Sequence, residues 1–222
     1  MSIISSINSY DFSPLINNSQ LNSNSNLLSE NISEILEQQS SLNTISKMGS
    51  QINKIYSFAK STKNNNVING FKTAMFLLNN QLTSSRAINF FKTAEYLTFG
   101  NAETFSSLFT SINKLNKNGL TGVINNFMDA VNNISEKLGG NELKNFLETT
   151  DKLTEKLGAE KNSKASQIMF RYFSTINNLL SSNSLSTENK EELLSNFLKE
   201  INNKESSVSV ENYIKNFREK NL

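Results

Sequence analysis

The chain has 222 residues, a net charge of +2, and no cysteine or histidine. Without these two residue types it lacks thiol nucleophiles, imidazole bases, disulfides and the usual zinc and haem ligands. Its hydrophobic fraction of 36% is low for a globular domain, so we expect two packed layers and not a thick core.

Residues 1–25 precede the first predicted helix. They are rich in serine and asparagine, and they contain one charged residue, Asp11, and the only proline, Pro14. Such a segment has few apolar side chains to bury and few good helix formers. We therefore expect a leader that is disordered or loosely docked when the chain is alone.

The start of the leader mixes small polar residues with isoleucine, at Ile3, Ile4 and Ile7. It resembles the uncleaved N-terminal export signals of substrates of bacterial type III secretion and flagellar export systems. The resemblance covers at most residues 1–25 and contains no strict motif. It implies export of an unfolded chain, for which a disulfide-free fold of short helices is suited. The alternative is a leader that is purely structural or binds a chaperone.

Residues 26–62 are predicted to form one long, heptad-like helix. Apolar residues recur there mostly at steps of three, four and seven, at Leu28, Ile32, Ile35, Leu42, Ile45, Ile52 and Ile55. This spacing is typical of the seam of a coiled coil. We expect a partner helix on this seam, either from the same chain or from a second copy.

Residues 66–222 are predicted to form about eight short amphipathic helices, which completes an all-α fold without a sheet. Between residues 67 and 158 the sequence nearly repeats itself, with a phenylalanine at positions 71, 91, 109, 127 and 146. Glycines follow at the expected helix ends, at Gly100, Gly119, Gly139 and Gly158. The pattern favours either a globular bundle or an array of stacked helices. The phenylalanines belong to the core or, alternatively, to a groove for a partner helix.

Two classes of partner are not expected. The three arginines, Arg86, Arg171 and Arg218, lie far apart and form no basic stripe, so we expect no nucleic-acid partner. No apolar run approaches the roughly 20 residues that span a bilayer, so we expect no integral membrane segment. The N-terminus also lacks the basic and apolar regions of a Sec signal peptide.

Two clusters of carboxylates could in principle support acid–base catalysis. Glu148, Asp151 and Glu155 share one predicted helix face, and Glu188, Glu191 and Glu192 lie at a predicted helix start. Lysines accompany both clusters, which is typical of solvated helix surfaces. No nucleotide-binding or calcium-binding motif is present in the sequence. We therefore predict no catalytic residues, no cofactor and no metal site.

These observations favour a non-enzymatic helical protein that acts through protein–protein interaction, with another protein or with a second copy of itself. In the first hypothesis it is secreted by a non-Sec, type III-like route and acts as a structural accessory or bacterial virulence effector. In the alternative it is a cytoplasmic adaptor or chaperone that binds partner helices. A carboxylate- or lysine-based enzyme is the third class. The abundance of asparagine is attributed to compositional bias and not to function.

Overall fold

The computed structural model describes residues 32–78, 82 and 84–222, with side chains from residue 47 onward. Within these residues the chain forms nine α-helices and no strand, which confirms the predicted all-α class. The helices are α1 (Ile32–Ser61), α2 (Asn65–Leu78), α3 (Ser85–Leu97), α4 (Ala102–Lys117), α5 (Ile124–Lys137), α6 (Gly140–Ala159), α7 (Ala165–Ser181), α8 (Thr187–Asn203) and α9 (Ser207–Asn221). One turn of 3-10 helix, Thr121–Val123, joins α4 to α5.

Short polar side chains determine where several helices begin. The side chains of Ser84, Asn101 and Ser186 each accept a hydrogen bond from the backbone amide three residues later. Ser206 and Ser209 form a reciprocal capping box at the start of α9. These bonds satisfy amides of the first turn that have no partner within the helix.

Two of the glycines predicted to end helices have a φ well inside the positive range, the backbone conformation that glycine adopts readily at a helix end. Gly119 (φ +72°) follows α4 and Gly139 (φ +124°) follows α5. The prediction for Gly158 is wrong, because α6 continues through this residue to Ala159. The left-handed residue that turns the chain there is Lys161 (φ +46°).

The helices stack in two layers, because each packs chiefly against the helix two positions further along the chain. Layer one contains α1, α3, α5, α7 and α9, and layer two contains α2, α4, α6 and α8. Consecutive helices cross between the layers and pack less extensively. The nine described helices thus form a two-layered helical bundle, which confirms the predicted bundle.

Interhelical hydrogen bonds follow the same rule. Gln51 of α1 donates to Glu95 of α3 at 2.9 Å, and Asn113 of α4 donates to Asn66 of α2 at 2.9 Å. Side chains that bond between neighbouring helices of one layer lie between 37 and 53 positions apart in sequence. The structural repeat is therefore a pair of helices. The recurring phenylalanine occurs once in each helix, so its period in the sequence is half of the structural repeat.

The recurring phenylalanines form the core between the two layers. Phe71, Phe91, Phe109, Phe127 and Phe146 are all fully buried. Phe71 meets Phe109 edge to face with ring centroids 5.8 Å apart, and Phe127 stacks on Phe146 at 5.6 Å. Burial of each such side chain stabilises the fold by roughly 1.5–3 kcal/mol. The interpretation of this series as core is confirmed, and it does not line a groove for a partner helix.

The first helix is only partly as predicted. The predicted helix spans residues 26–62, whereas the described helix begins at Ile32, and Leu28 lies outside the described residues. Ile52 and Ile55 are 5% and 0% exposed, because they belong to the chain's own core where α1 packs beside α2 and α3. A heptad-like coiled coil is therefore not confirmed. The side chains of the other seam residues, Ile32, Ile35, Leu42 and Ile45, lie outside the described set.

The contact between α2 and α4 is the most extensive in the bundle. Gly70 of α2 faces the backbone of Phe109 in α4 so closely that an added Cβ would lie 1.8 Å from the Phe109 carbonyl oxygen. Only the absence of a side chain at Gly70 permits this approach. The next residues on the same face, Phe71 and Ala74, are fully buried.

Candidate interaction groove

A groove runs along α3, α5 and α7 of layer one, and one end of it reaches the first turn of α6 in layer two. Its first part, about 620 Å³, lies between the C-terminal halves of α3 and α5. Its second part, about 560 Å³, extends across α3 and α5 to α7. Asn89, Asn132 and Glu136 line both parts, so we treat them as one continuous groove.

Side chains that bridge the three helices form the floor of the second part. Arg86 of α3 makes a two-point ion pair with Asp129 of α5, with Nε–Oδ1 at 2.7 Å and Nη2–Oδ2 at 2.9 Å. Asn133 of α5 donates to Asn177 of α7 at 2.9 Å, and Asn177 donates to the Asn126 carbonyl at 3.2 Å. The hydrogen bond from Arg86 to Asp129 raises the pKa of the arginine, although partial burial alone would lower it. The floor is polar, and its charges are paired.

The first part of the groove ends in exposed aromatic side chains. Tyr96, in the last turn of α3, and Phe99, in the following turn, are 73% and 75% exposed. Buried Leu97 and Leu143 line the same part, and Gly139 and Gly140 lie on its other side. Exposed aromatic residues beside a cavity are the type most enriched at protein interfaces. This end of the groove is therefore apolar and accessible.

Asn132 lies where the two parts meet. It is 9% exposed, and its Nδ2 donates to the Arg86 carbonyl at 3.2 Å. Its Oδ1 is buried and has no hydrogen-bond partner. A buried acceptor without a donor is costly, and because this oxygen has almost no accessible surface it is not a contact point for an occupant of the groove.

The first carboxylate cluster holds two helices of layer two together. Asp151 and Glu155 of α6 both bind Lys114 of α4 at 2.8 Å, and Ser111 donates to Asp151 at 2.6 Å. Burial alone would lower the pKa of Lys114, but the bonds to the two carboxylates raise it overall. Glu148 is exposed, and none of these residues lines the groove. The geometry thus assigns this cluster to helix packing.

The second carboxylate cluster lies on the surface of α8. Glu188, Glu191 and Glu192 are exposed, and hydrogen bonds from the Glu188 amide and from Ser186 lower the pKa of Glu188. In the described part of the chain no three potential ligand residues are grouped so that they could hold a metal ion. Within the same ranges no helix has the length and apolarity needed to cross a membrane.

The sequence predicted two sets of site residues, a partner seam and an export signal. Those of them whose side chains are described do not line the groove. Ile52 and Ile55 are in the core, and Ile3, Ile4 and Ile7 lie outside the described residues. Tyr96 and Phe99 are absent from the predicted set. The sequence does contain an indication that Tyr96 is exposed, because this residue lies outside the apolar stripe of α3.

Comparison of the chain with protein-family models, with curated proteins and with solved structures finds no match. A functional argument therefore depends on the geometry of the groove.

Proposed function

We propose that this protein is a non-enzymatic helical interaction protein, and that the groove between α3, α5 and α7 binds a segment of another protein. The observation that carries the proposal is the pair of exposed aromatic side chains, Tyr96 and Phe99, at the end of a polar groove. Aromatic residues in such pockets supply most of the binding free energy in protein interfaces. The asparagines along the floor supply donors and acceptors that fix the position of the bound segment.

The distribution of apolar residues favours an extended segment over a helix. A partner helix needs apolar anchors at every turn along its groove. Here the apolar surface is confined to the end near Tyr96 and Phe99, and the floor beyond it consists of Arg86, Asp129 and asparagines. An extended segment needs one apolar side chain for that end, and its backbone amides match the amide side chains of the floor. The adaptor that binds partner helices is therefore the less supported alternative.

The cellular process remains a proposal based on the leader. Export through a type III-like or flagellar channel, followed by action as a structural accessory or effector, depends on residues 1–25, which lie outside the described residues. Fusion of this segment to a reporter tests it. Secretion of the reporter by a bacterium with such an apparatus supports export, and retention of the reporter contradicts it.

Binding by the groove can be tested before a natural partner is known. A library of displayed short peptides is selected on the full-length protein, and the enriched peptides are measured against three variants. In the groove variant Tyr96→Ser/Phe99→Ser we expect the affinity to fall about 30-fold, as for an aromatic hot spot worth about 2 kcal/mol. The matched control is Phe76→Ser, which alters a phenylalanine of α2 that is 78% exposed and lies outside the groove.

The third variant, Asn89→Ala, removes an exposed amide side chain that lines both parts of the groove while leaving the aromatic end intact. We expect a smaller loss of affinity, about tenfold or less, because one hydrogen bond to a neutral group contributes about 1 kcal/mol. Peptides that bind the groove variant and the Phe76→Ser control equally well would show that the groove is not the binding surface.

A further inference from the structure

The groove has no net charge. Arg86 and Asp129 are paired on its floor, and Lys92 and Glu136 are the other two charged residues that line it. The remaining polar lining consists largely of asparagine and serine. Beside the Arg86–Asp129 pair a charged side chain would lose hydration without gaining a free counter-charge, because these two residues neutralise each other. Lys92 and Glu136 are of opposite sign, so the groove as a whole favours an occupant with little net charge.

The chain itself contains a segment of this kind. Residues 1–29 carry one charged side chain, Asp11, although the whole chain has 22 basic and 20 acidic residues. Serine and asparagine alternate there with isolated apolar residues such as Ile7 and Phe12. Pro14 lacks an amide hydrogen and biases Ser13 toward extended backbone conformations. Composition and backbone preference both match a neutral groove with one apolar end.

The segment is also long enough to reach the groove. Lys54 of α1 bonds to Glu95 of α3 at 2.9 Å, so this level of α1 lies beside the end of α3 that carries Tyr96. Ile32, where α1 begins, is about 33 Å from Lys54 at about 1.5 Å per residue. An extended chain covers this distance in about ten residues. The residues before α1 can therefore return along layer one to the groove.

We propose that residues 1–25 dock in this groove as an intramolecular ligand, with one apolar side chain against Tyr96 and Phe99. The inference rests on the proposed function of the groove and adds a regulation to it, since a partner must displace the chain's own segment. Because the segment is tethered, its effective concentration is in the millimolar range, and weak contacts are sufficient.

Introduced cysteines test the contact directly, because the chain has none of its own. The full-length variant Ser13→Cys/Asn89→Cys places one thiol on the leader and one in the groove. The control, Ser13→Cys/Asn145→Cys, uses another exposed asparagine, on α6 in layer two. With a bifunctional maleimide we expect intramolecular cross-linking at least about tenfold faster in the groove pair, since docking raises the local thiol concentration. Addition of Tyr96→Ser/Phe99→Ser removes this difference.

Equal cross-linking rates in the two pairs would overturn the proposal, because an undocked leader meets both positions alike. A cross-linked dimer as the main product of the groove pair would also overturn it and would identify a second copy as the occupant.

A second measurement separates this inference from the function of the groove. Serine at Ile3, Ile4, Ile7 and Phe12 of the full-length chain weakens the intramolecular ligand, so the selected peptides should bind this leader variant severalfold more tightly. An unchanged peptide affinity refutes intramolecular docking and leaves peptide binding by the groove intact. Peptide binding that is insensitive to Tyr96 and Phe99 refutes the proposed function itself.

Discussion

Replacement of Gly70 by alanine tests how closely α2 and α4 approach each other. In an isolated helix this change is stabilising by about 1 kcal/mol, because glycine is a poor helix former. In the bundle the new Cβ would lie 1.8 Å from the Phe109 carbonyl oxygen and 2.6 Å from its carbonyl carbon. Both are backbone atoms, which cannot rotate away as a flexible side chain does. The two effects therefore oppose each other, and their sizes decide the outcome.

The size of the clash follows from ordinary contact distances. Non-bonded atoms are most stable about 3.5 Å apart, so α2 and α4 must separate by about 1.5 Å, and a gap of about 1 Å already forfeits up to half of the attraction. Phe71 and Ala74 lie on the face that would be lifted from its neighbours. Overpacking of this kind costs about 3 kcal/mol. After the helix-propensity gain, we expect the free energy of unfolding to fall by about 2 kcal/mol.

The matched control is Gly122→Ala. Gly122 is exposed and has no other group within 4 Å of an added Cβ, so alanine is accommodated there without strain. Urea unfolding followed by far-UV circular dichroism should show a lower midpoint for Gly70→Ala and almost none of this change for Gly122→Ala. If Gly70→Ala is as stable as the parent protein or more stable, α2 and α4 do not pack at this distance and the reasoning is wrong.

Two further predictions concern single side chains. Tyr172 is fully buried, and its hydroxyl lies near Thr150 without a hydrogen bond of good geometry, so Tyr172→Phe should raise the free energy of unfolding by about 1 kcal/mol; a loss of stability in urea would contradict this. The hydrogen bond from Lys54 lowers the folded-state pKa of Glu95 below its usual value of 4.5. The stability that this bond contributes is therefore present above pH 4.5, and it is lost as the pH falls through the lower folded-state pKa. The melting temperature of the parent protein should therefore be higher than that of Glu95→Gln at pH 7, and the two should be equal in strong acid. A difference in melting temperature that stays constant with pH would show that this ion pair is not its cause.

The all-α fold and many helix ends are predictable because they depend on local sequence. The apolar stripe of each helix repeats at helical spacing, and residues such as Asn101 and Gly139 have the chemistry that starting or ending a helix requires. The core role of the phenylalanine series follows from the same periodicity, since a large apolar side chain on such a stripe is most often buried.

The pairing of helices two positions apart is not predictable in this way. An apolar stripe indicates that a face is covered but does not identify the helix that covers it. For this reason Ile52 and Ile55, which fit a coiled-coil seam by spacing, instead join the core beside α2 and α3. Gly70 is another example, because a glycine needed for a close helix crossing has the same appearance in sequence as one that is merely tolerated.

The candidate groove could not be predicted because its lining is assembled from four helices, α3, α5, α6 and α7, which extend over almost 100 residues of the sequence. Within one helix, Asn89 or Asn132 is an ordinary polar residue. The groove becomes visible only when α3, α5 and α7 are placed side by side, so that the Arg86–Asp129 pair and the asparagines form one floor. Tyr96 is the single lining residue with a local signal, as an aromatic side chain away from the apolar stripe.

The abundance of asparagine, attributed from the sequence to compositional bias, acquires a structural use in this arrangement. Neighbouring helices of one layer bring polar side chains face to face, and two like charges at such a contact would repel each other. An amide side chain donates and accepts at once, so it can bond to another copy of itself, as in the pairs Asn66–Asn113 and Asn133–Asn177. The same chemistry makes most of the groove's polar lining neutral, and its four charged residues sum to no net charge. The composition of the chain therefore favours both the packing of its helices and an occupant of little net charge for the surface they create.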